Sequence, residues 1–463
     1  MSKITIKNTT GNEITKTDGV VKFLNKSDVK ESDKFEFTTF EGNMNDIIVI
    51  GNSIYVGIEK EDTDNDDWRI LGFKITSMLS KMKFKTITIN NVPEHSEDFI
   101  QGLYLGIYSF DKYKSKKTEM ELESICLSSN FDLTKVIEIA EIKTESQILT
   151  KDWVNTTPED AYADSIIKNV KETFNGTKVK VKVFTQDELE DLGMNGHLAV
   201  NRASRHDAAV IRLTYEPKDF KKTTILIGKT LTFDSGGLSI KPGTSMLTMK
   251  LDKAGGMAVW GIMKGISEIG SDNKVVVYMS IAENMIDGSA YKPDDIITMK
   301  NGKTVHIKNT DAEGRVVLFD SICLAEEENP DFDEMYTFAT LTGAAVVQFG
   351  SEAAAMIGFN DEMKSTIKSI GENEGEYFMN AEFHKYMLNG VDDTVADLSN
   401  MGTPNQGSQK AGLFLTKALT EDGQKKFMHV DFAGPAFVKT AFGSNQSGGT
   451  GFAVRTFINY LTK

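Results

Sequence analysis

Along the first third of the chain, short apolar runs alternate with longer amphipathic ones. NDIIVIGN (45–52) reads as a strand, WRILGFKITSMLSKMK as a helix, FKTITINNV as a strand and EDFIQGLYLGIYSF as a helix. Strands separated by helices in this way predict an α/β layer. DKYKSKKTEMELE (111–123) is a solvated break, after which ESICLSS reads as another strand and residues 132–142 as a helix. A further helix is expected from Asp152, beyond KTESQILTK. The pattern then changes: TTILIG, KVVVYMSIA and FDEMYTFATLTG are β-branched apolar runs of the kind that fill a sheet covered on both faces. The expected fold is α/β: a smaller N-terminal α/β domain (1–145) and a larger C-terminal α/β domain (146–463) with a mixed central sheet covered by helices. No internal repeat is visible.

Composition narrows the function. The 463 residues exceed what one core usually serves. A net charge of −15 disfavours phosphate backbones and anionic membranes, which select clustered Lys and Arg. Cys126 and Cys323 are too few for a disulfide framework or a thiolate metal site, and both sit in apolar surroundings expected to bury them. The opening MSKITIKNTTGNEITK has no apolar leader, and no stretch approaches the roughly 20 apolar residues of a membrane span. A soluble cytoplasmic protein is expected.

Glycine-rich junctions (DSGG, KAGG, LTGAA, GSQKAG, HVDFAGPA, GSNQSGGTG) follow or interrupt the apolar runs of the second part. Strand ends of open α/β sheets are where ligands bind, so chemistry is expected there. At those ends lie four carboxylates, Asp234, Asp252, Asp311 and Glu313, and three basic groups, Lys229, Lys241 and Arg315. Crowded carboxylates repel unless a cation neutralises them. Oxygen donors without cysteine suit Mg, Mn or a carboxylate-rich Zn site, and a two-metal centre is the economical reading. Asp311 and Glu313 stand two apart in NTDAEGR; a helix would turn them away from each other, whereas an extended backbone at a strand-to-helix junction aims them together.

Each fragment alone has a plainer explanation. An Asp near a helix start is usually a cap or dipole partner, a Lys ending a strand is usually solvated, and a GG turn usually serves backbone geometry. Only the conjunction favours a metal site. IGKT is not a phosphate loop, because Thr223 stands where that motif needs glycine. No HExxH pair exists.

These residues resemble one family, the cytosolic leucine aminopeptidases, whose signature is NTDAEGR. The likeness runs through GKTLTFDSGGLSIKP (228–242), the MK, D, G and AV positions of 249–261, Pro293 to Arg315, ATLTGA (339–344), ADLSNMG, HVDFAG and GGTGF. It is weaker in VNTTPED and LGMNG, and loose in the first domain. The resemblance implies a metal-dependent aminopeptidase that releases N-terminal residues, preferably Leu or other apolar ones, through a metal-bridged hydroxide. It implies that Lys229, Asp234, Asp252 and Glu313 bind one divalent ion and Asp234, Asp311 and Glu313 a second, the metals being Zn, Mn or Mg. Lys241 would stabilise the oxyanion, and Arg315, too basic to take a proton itself, would hold a bicarbonate ion as general base. Met249, Thr340, Gly343, Ala433 and Ala436 would line the side-chain pocket. Peptide substrates and a homohexamer are implied as well.

The chain departs from the family at Thr230, Asn195 and Lys253, where Gly, Gly and Met are usual. None of these replaces an implied ligand, but Lys253 beside Asp252 could alter the charge near the metals. A narrower Cys-Gly dipeptidase would use the same site. A DNA-binding family member is disfavoured by the charge, and an inactive homologue by the presence of all seven implied site residues.

Overall fold

The computed structural model describes residues 4–10, 17–36, 38–93, 95–117, 119–402 and 405–462. The chain forms two compact units, the first running to residue 148 with 373–375 and 441–445, the second comprising the rest.

The first unit holds six strands: β1 (Thr5–Thr10), β2 (Gly19–Leu24), β3 (Ile47–Ile50), β4 (Ser53–Gly57), β5 (Thr86–Asn90) and β6 (Ser124–Ser129). Their order is β1-β6-β5-β2-β4-β3, parallel except for β3 against β4. Helices Asn65–Leu79 and Ser96–Gly106 supply Leu71, Ile75, Phe99 and Leu103 to the core, against Ile54, Ile87 and Ile125 of the strands. The apolar runs predict β3, β5 and β6; β4 follows β3 after a two-residue turn and is not separated from it in the pattern, and β1 and β2 carry too few buried residues to stand out. β1 reads TIKNTT, within the polar opening whose residues 1–3 and 11–16 lie outside the described residues.

Two helices expected on either side of residue 145 are one continuous helix, Thr134–Asn155. Its middle looks like a break because it is polar, yet Lys143, Thr144, Ser146, Gln147, Thr150 and Lys151 are all buried. Cys126 and Cys323 are buried and form no disulfide among the described residues.

In chain order the second unit carries β7 (Lys180–Phe184), β8 (Ala209–Tyr215), β9 (Thr223–Asp234), β10 (Lys274–Asn284), β11 (Ile296–Thr298), β12 (Thr304–His306), β13 (Glu334–Ala339), β14 (Ala353–Gly358), β15 (Tyr377–Asn380), β16 (Leu398–Ser399) and β17 (Phe427–Asp431). Eight form a mixed sheet ordered β15-β14-β17-β13-β9-β10-β8-β7, in which β17, β13, β9 and β10 run parallel. β11, β12 and β16 make a small separate sheet.

The two-residue alternation of a strand splits β9 between two cores. Leu226 joins Met257, Val259 and Trp260 of helix Ala254–Ile269, whereas Ile225 and Ile227 pack with Val316 and Phe319 of helix Glu313–Glu328. The sheet is therefore covered on both faces, as its uninterrupted apolar strands require. Helix Ala254–Ile269 meets the sheet backbone to backbone: a Cβ on Gly255 would fall 2.0 Å from the Phe338 carbonyl oxygen. That approach, open only to glycine, seats the turn carrying Asp252 beside β9.

Candidate metal centre

Lys229 lies within β9 and Asp234 ends it. By alternation Lys229 shares the face of Ile225 and Ile227 and so points toward the start of helix Glu313–Glu328. Its ammonium pairs with both oxygens of Asp252 at 2.8 and 2.7 Å and with Glu313 Oε1 at 2.7 Å. It also donates to the Thr340 carbonyl at 3.4 Å. The glycine after Glu313 makes this possible: a Cβ on Gly314 would lie 2.4 Å from Lys229 Cε and 2.6 Å from its Nζ.

Lys241 forms the second bridge. Its ammonium reaches Asp234 Oδ2 at 2.8 Å and donates to Asp311 Oδ1. The remaining oxygen of Asp234 accepts from the Gly236 N–H at 2.9 Å and from Asn284 Nδ2 at 2.8 Å. Asn284 stands opposite Asp234 on β10 and also donates to the Thr310 carbonyl at 3.1 Å, tying the end of β9 to the NTDAEGR segment. Each of Asp234, Asp252 and Glu313 offers an oxygen within 4.8 Å of the others, and all three are buried.

NTDAEGR is not an extended junction. Asp311 sits in a turn and Glu313 is the first helical residue, so the two carboxylates meet different lysines. The turn, rather than a straight strand end, delivers both to the centre.

Burial and the neighbouring carboxylates push the Asp234 carboxyl up to about 7. Burial raises Asp311 to about 6 and raises Asp252 also. Burial pushes Glu313 the same way, but Lys229 and Lys241 outweigh it and hold its carboxyl below the usual value. Both lysines lose solvation, yet the surrounding carboxylates hold their ammonium groups well above the ordinary range. Four carboxylates thus face two ammonium groups, and the third cation, Arg315, makes no ion pair with them among the described residues. It donates through Nη1 to the Asn400 carbonyl at 2.9 Å, and its buried Nε has no partner. An excess of buried hard oxygen donors, with no thiolate or imidazole among them, fits divalent cations.

Among the implied pocket residues, Thr340 is at the centre itself, its hydroxyl donating to Asp252 Oδ1 at 2.7 Å. Ala433 N–H donates to Asp431, whose carboxylate also accepts from Leu341 N–H and from the Thr342 hydroxyl and so pins the turn that carries Thr340. Met249 opens the short 3-10 turn holding Asp252, Gly343 begins an exposed helix, and Ala436 is buried. No hydrogen bond or ion pair among the described residues joins these three to the carboxylates. Sequence reasoning overlooked Asn284, Asn400 and Asp431. Only their places beside glycine or at strand ends, in IAENM, LSNMG and HVDFAG, could have drawn attention to them.

A mixed sheet that presents buried oxygen donors at the end of a central parallel strand is the framework of a metal-dependent hydrolase. Residues 148–458 match the profile of the cytosol aminopeptidase family, catalytic domain. The probable cytosol aminopeptidase of Persephonella marina is 37% identical over 435 residues, covering 91% of this chain and 86% of that protein. Its counterpart in Helicobacter hepaticus is 35% identical over 410 residues, covering 87% and 86%. Among solved structures, the bottromycin maturation enzyme BotP in complex with Mn superimposes with a TM-score of 0.88 at 26% identity, covering 96% of this chain and 99% of that one. A mutant of tomato leucine aminopeptidase shares the fold with a TM-score of 0.88 at 23% identity, covering 99% and 96%. The chain belongs to the cytosol aminopeptidase family, and it is a metal-dependent aminopeptidase, a peptide hydrolase of the leucyl aminopeptidase type. Among the described residues no helix is long and apolar enough to cross a membrane.

Proposed function

We propose that the chain removes N-terminal residues, preferably Leu or other apolar ones, from peptides. In this reading Lys229, Asp234, Asp252 and Glu313 hold one divalent ion and Asp234, Asp311 and Glu313 a second, within a catalytic domain spanning 146–463. The observation that carries it is the buried convergence of Asp234, Asp252 and Glu313 within 4.8 Å between two lysines. Bound divalent ions would supply Lewis acidity, acidifying water and polarising the scissile carbonyl.

The chain's own residues then divide the work. Lys229 can ligate only as the neutral amine, so it must give up the proton that its carboxylate partners otherwise hold. Lys241, kept charged by Asp234, offers N–H groups to the oxyanion of the tetrahedral intermediate. Arg315 cannot act as a base, but its unpartnered Nε suits a small anion such as bicarbonate, which could take up the proton. Met249, Thr340, Gly343, Ala433 and Ala436 are assigned to the side-chain pocket, with the Thr340 hydroxyl already committed to Asp252. Manganese is favoured by the Mn-bound relative, with zinc and magnesium as the other candidates. A cytoplasmic location and a homohexamer follow the family resemblance, the former also the names of the relatives.

Comparison of Leu-p-nitroanilide with its N-acetyl form, before and after chelation, tests this reading. Cleavage of the free amine alone, lost on chelation and restored by Mn²⁺, is expected. Equal cleavage of the two substrates, or activity that survives complete metal removal, overturns it.

A further inference from the structure

β12 stops at His306 and the next helix begins at Glu313; beyond Ile307, which still pairs with Asp294 and Asp295, the chain between them belongs to no strand, although it must present Asp311, Glu313 and Arg315 in fixed directions. Thr310 is held by Asn284, Tyr291, Ser239 and the Gly236 carbonyl, and the stretch on either side of it by one further side chain. Asn400 follows β16, which pairs in parallel with β12 through His306 and Ser399, and it is fully buried. Its backbone N–H donates to the His306 carbonyl at 3.1 Å. From there its carboxamide takes over the pairing that a longer strand would have made. Oδ1 accepts from Lys308 N–H at 2.9 Å and Asn309 N–H at 3.4 Å, and Nδ2 donates to the Asn309 carbonyl at 2.7 Å and reaches the Ala312 carbonyl at 3.5 Å. The Asn400 carbonyl then accepts from Arg315 Nη1 at 2.9 Å. Every polar atom of this residue is spent on the segment 306–315.

We infer that Asn400 is a positioning residue for the reaction, its carboxamide acting as a substitute peptide that sets the Asp311–Glu313 turn while its carbonyl anchors the Arg315 guanidinium. This rests on the assignment of Asp311, Glu313 and Arg315 under the proposed function. An asparagine is needed because the segment presents N–H groups and carbonyls together. Aspartate has the same shape but cannot donate, and it would set a charge against two carbonyl oxygens.

The test is Asn400→Asp in the full-length protein, with two readouts. Titration of the metal-stripped protein with Mn²⁺ by calorimetry should show affinity weakened about 10- to 100-fold, as when a partner that orients metal ligands is lost. At saturating Mn²⁺, kcat on Leu-p-nitroanilide should fall about 100-fold, the scale of a small misplacement, with KM within about threefold. In an Arg315→Ala background the loss of Mn²⁺ affinity should persist, because the carboxamide acts on the Asp311–Glu313 turn and Arg315 is held by the backbone carbonyl. If Asn400→Asp does not fold, Asn400→Ser removes the carboxamide without adding charge and is read in the same way. Unchanged Mn²⁺ affinity, whatever kcat does, overturns the inference. Arg315→Ala measured alone separates the two levels: wild-type turnover there defeats the assignment of Arg315 itself, and this inference with it.

Discussion

Both units bury clusters of charge, and the two are built from the same parts. In the first unit Arg69 and Lys143 meet Asp66, Asp98, Glu97 and Glu374; in the second, Lys229 and Lys241 meet Asp234, Asp252, Asp311 and Glu313. Two cations and four carboxylates stand in each. Only the second gathers three carboxylates within 4.8 Å, among the described residues. In the first, the planar Arg69 guanidinium spreads its partners apart: Nη1 takes Asp66 at 2.7 Å, Nη2 takes Asp98, and Nε donates to Gln101 Oε1 at 3.3 Å. Two of its carboxylates, Glu97 at 36% and Asp66 at 22% side-chain exposure, keep water; in the second cluster only Asp311 does, at 31%, and the three that converge stand at 3 to 4%. Forks separate carboxylates and point charges let them crowd, so a count of charges does not reveal a metal site, whereas their convergence does.

The contrast is sharpest under substitution. Glu313→Gln keeps the shape and removes one negative charge from the convergent cluster, so kcat on Leu-p-nitroanilide should fall by roughly three orders of magnitude or more while the circular dichroism spectrum is unchanged. Near-normal turnover would mean that Glu313 is not at the reacting centre.

Arg69→Met should do the reverse. Buried acids left without their cation cost on the order of 3–5 kcal/mol, read as a lower urea midpoint, while kcat per folded molecule is preserved. A loss of kcat with intact stability would remove the distinction between the two clusters.

Lys253→Met tests a charge that adjoins the centre in sequence. The Lys253 ammonium donates to the Thr156 carbonyl at 2.9 Å and the Lys250 carbonyl at 2.6 Å, and the leading influences on Asp252 are burial, Lys229, Glu313 and Lys241. The pH–rate profile should therefore stay in place while stability falls by about 1–3 kcal/mol for the carbonyls left unpaired. A displaced profile would show that Lys253 tunes the metals after all.

A last effect, seen only in acid and not in turnover, concerns a buried imidazole. Burial pushes His197 down to about 4, although its Nε2 lies 2.8 Å from the Ile281 carbonyl oxygen. The unfolded chain takes up this proton at higher pH than the folded one, so the stabilisation is complete above about pH 6.5. It is lost as pH falls toward 4, by about 1.4 kcal/mol per unit. His197→Gln should flatten that acid limb in urea titrations, and an unchanged limb would assign acid sensitivity to other groups.

How much the sequence disclosed follows the same division. Charged residues beside glycines are conspicuous, and six of the seven named from sequence are joined by direct contacts in the structure, Arg315 reaching the centre through its own helix and Asn400. The sheet was legible where its strands are apolar on both faces, as in β9 and β10. Polar elements that owe their form to neighbours escaped: β1, whose pairing with β6 outweighs its weak pattern, and the buried polar middle of helix Thr134–Asn155. Asn284, Asn400 and Asp431 carry no distinguishing spacing, since an amide that ties two segments together is invisible until both segments are placed.

Gly314 has a wider consequence. In a saturation scan it would rank among the least tolerant positions of the second unit although it contributes no donor, acceptor or charge, because any side chain there collides with Lys229. For a designer transplanting this centre into another scaffold, copying the ionisable residues alone would fail. The specification must include a patch of empty space, one hydrogen wide, through which an amine can pass.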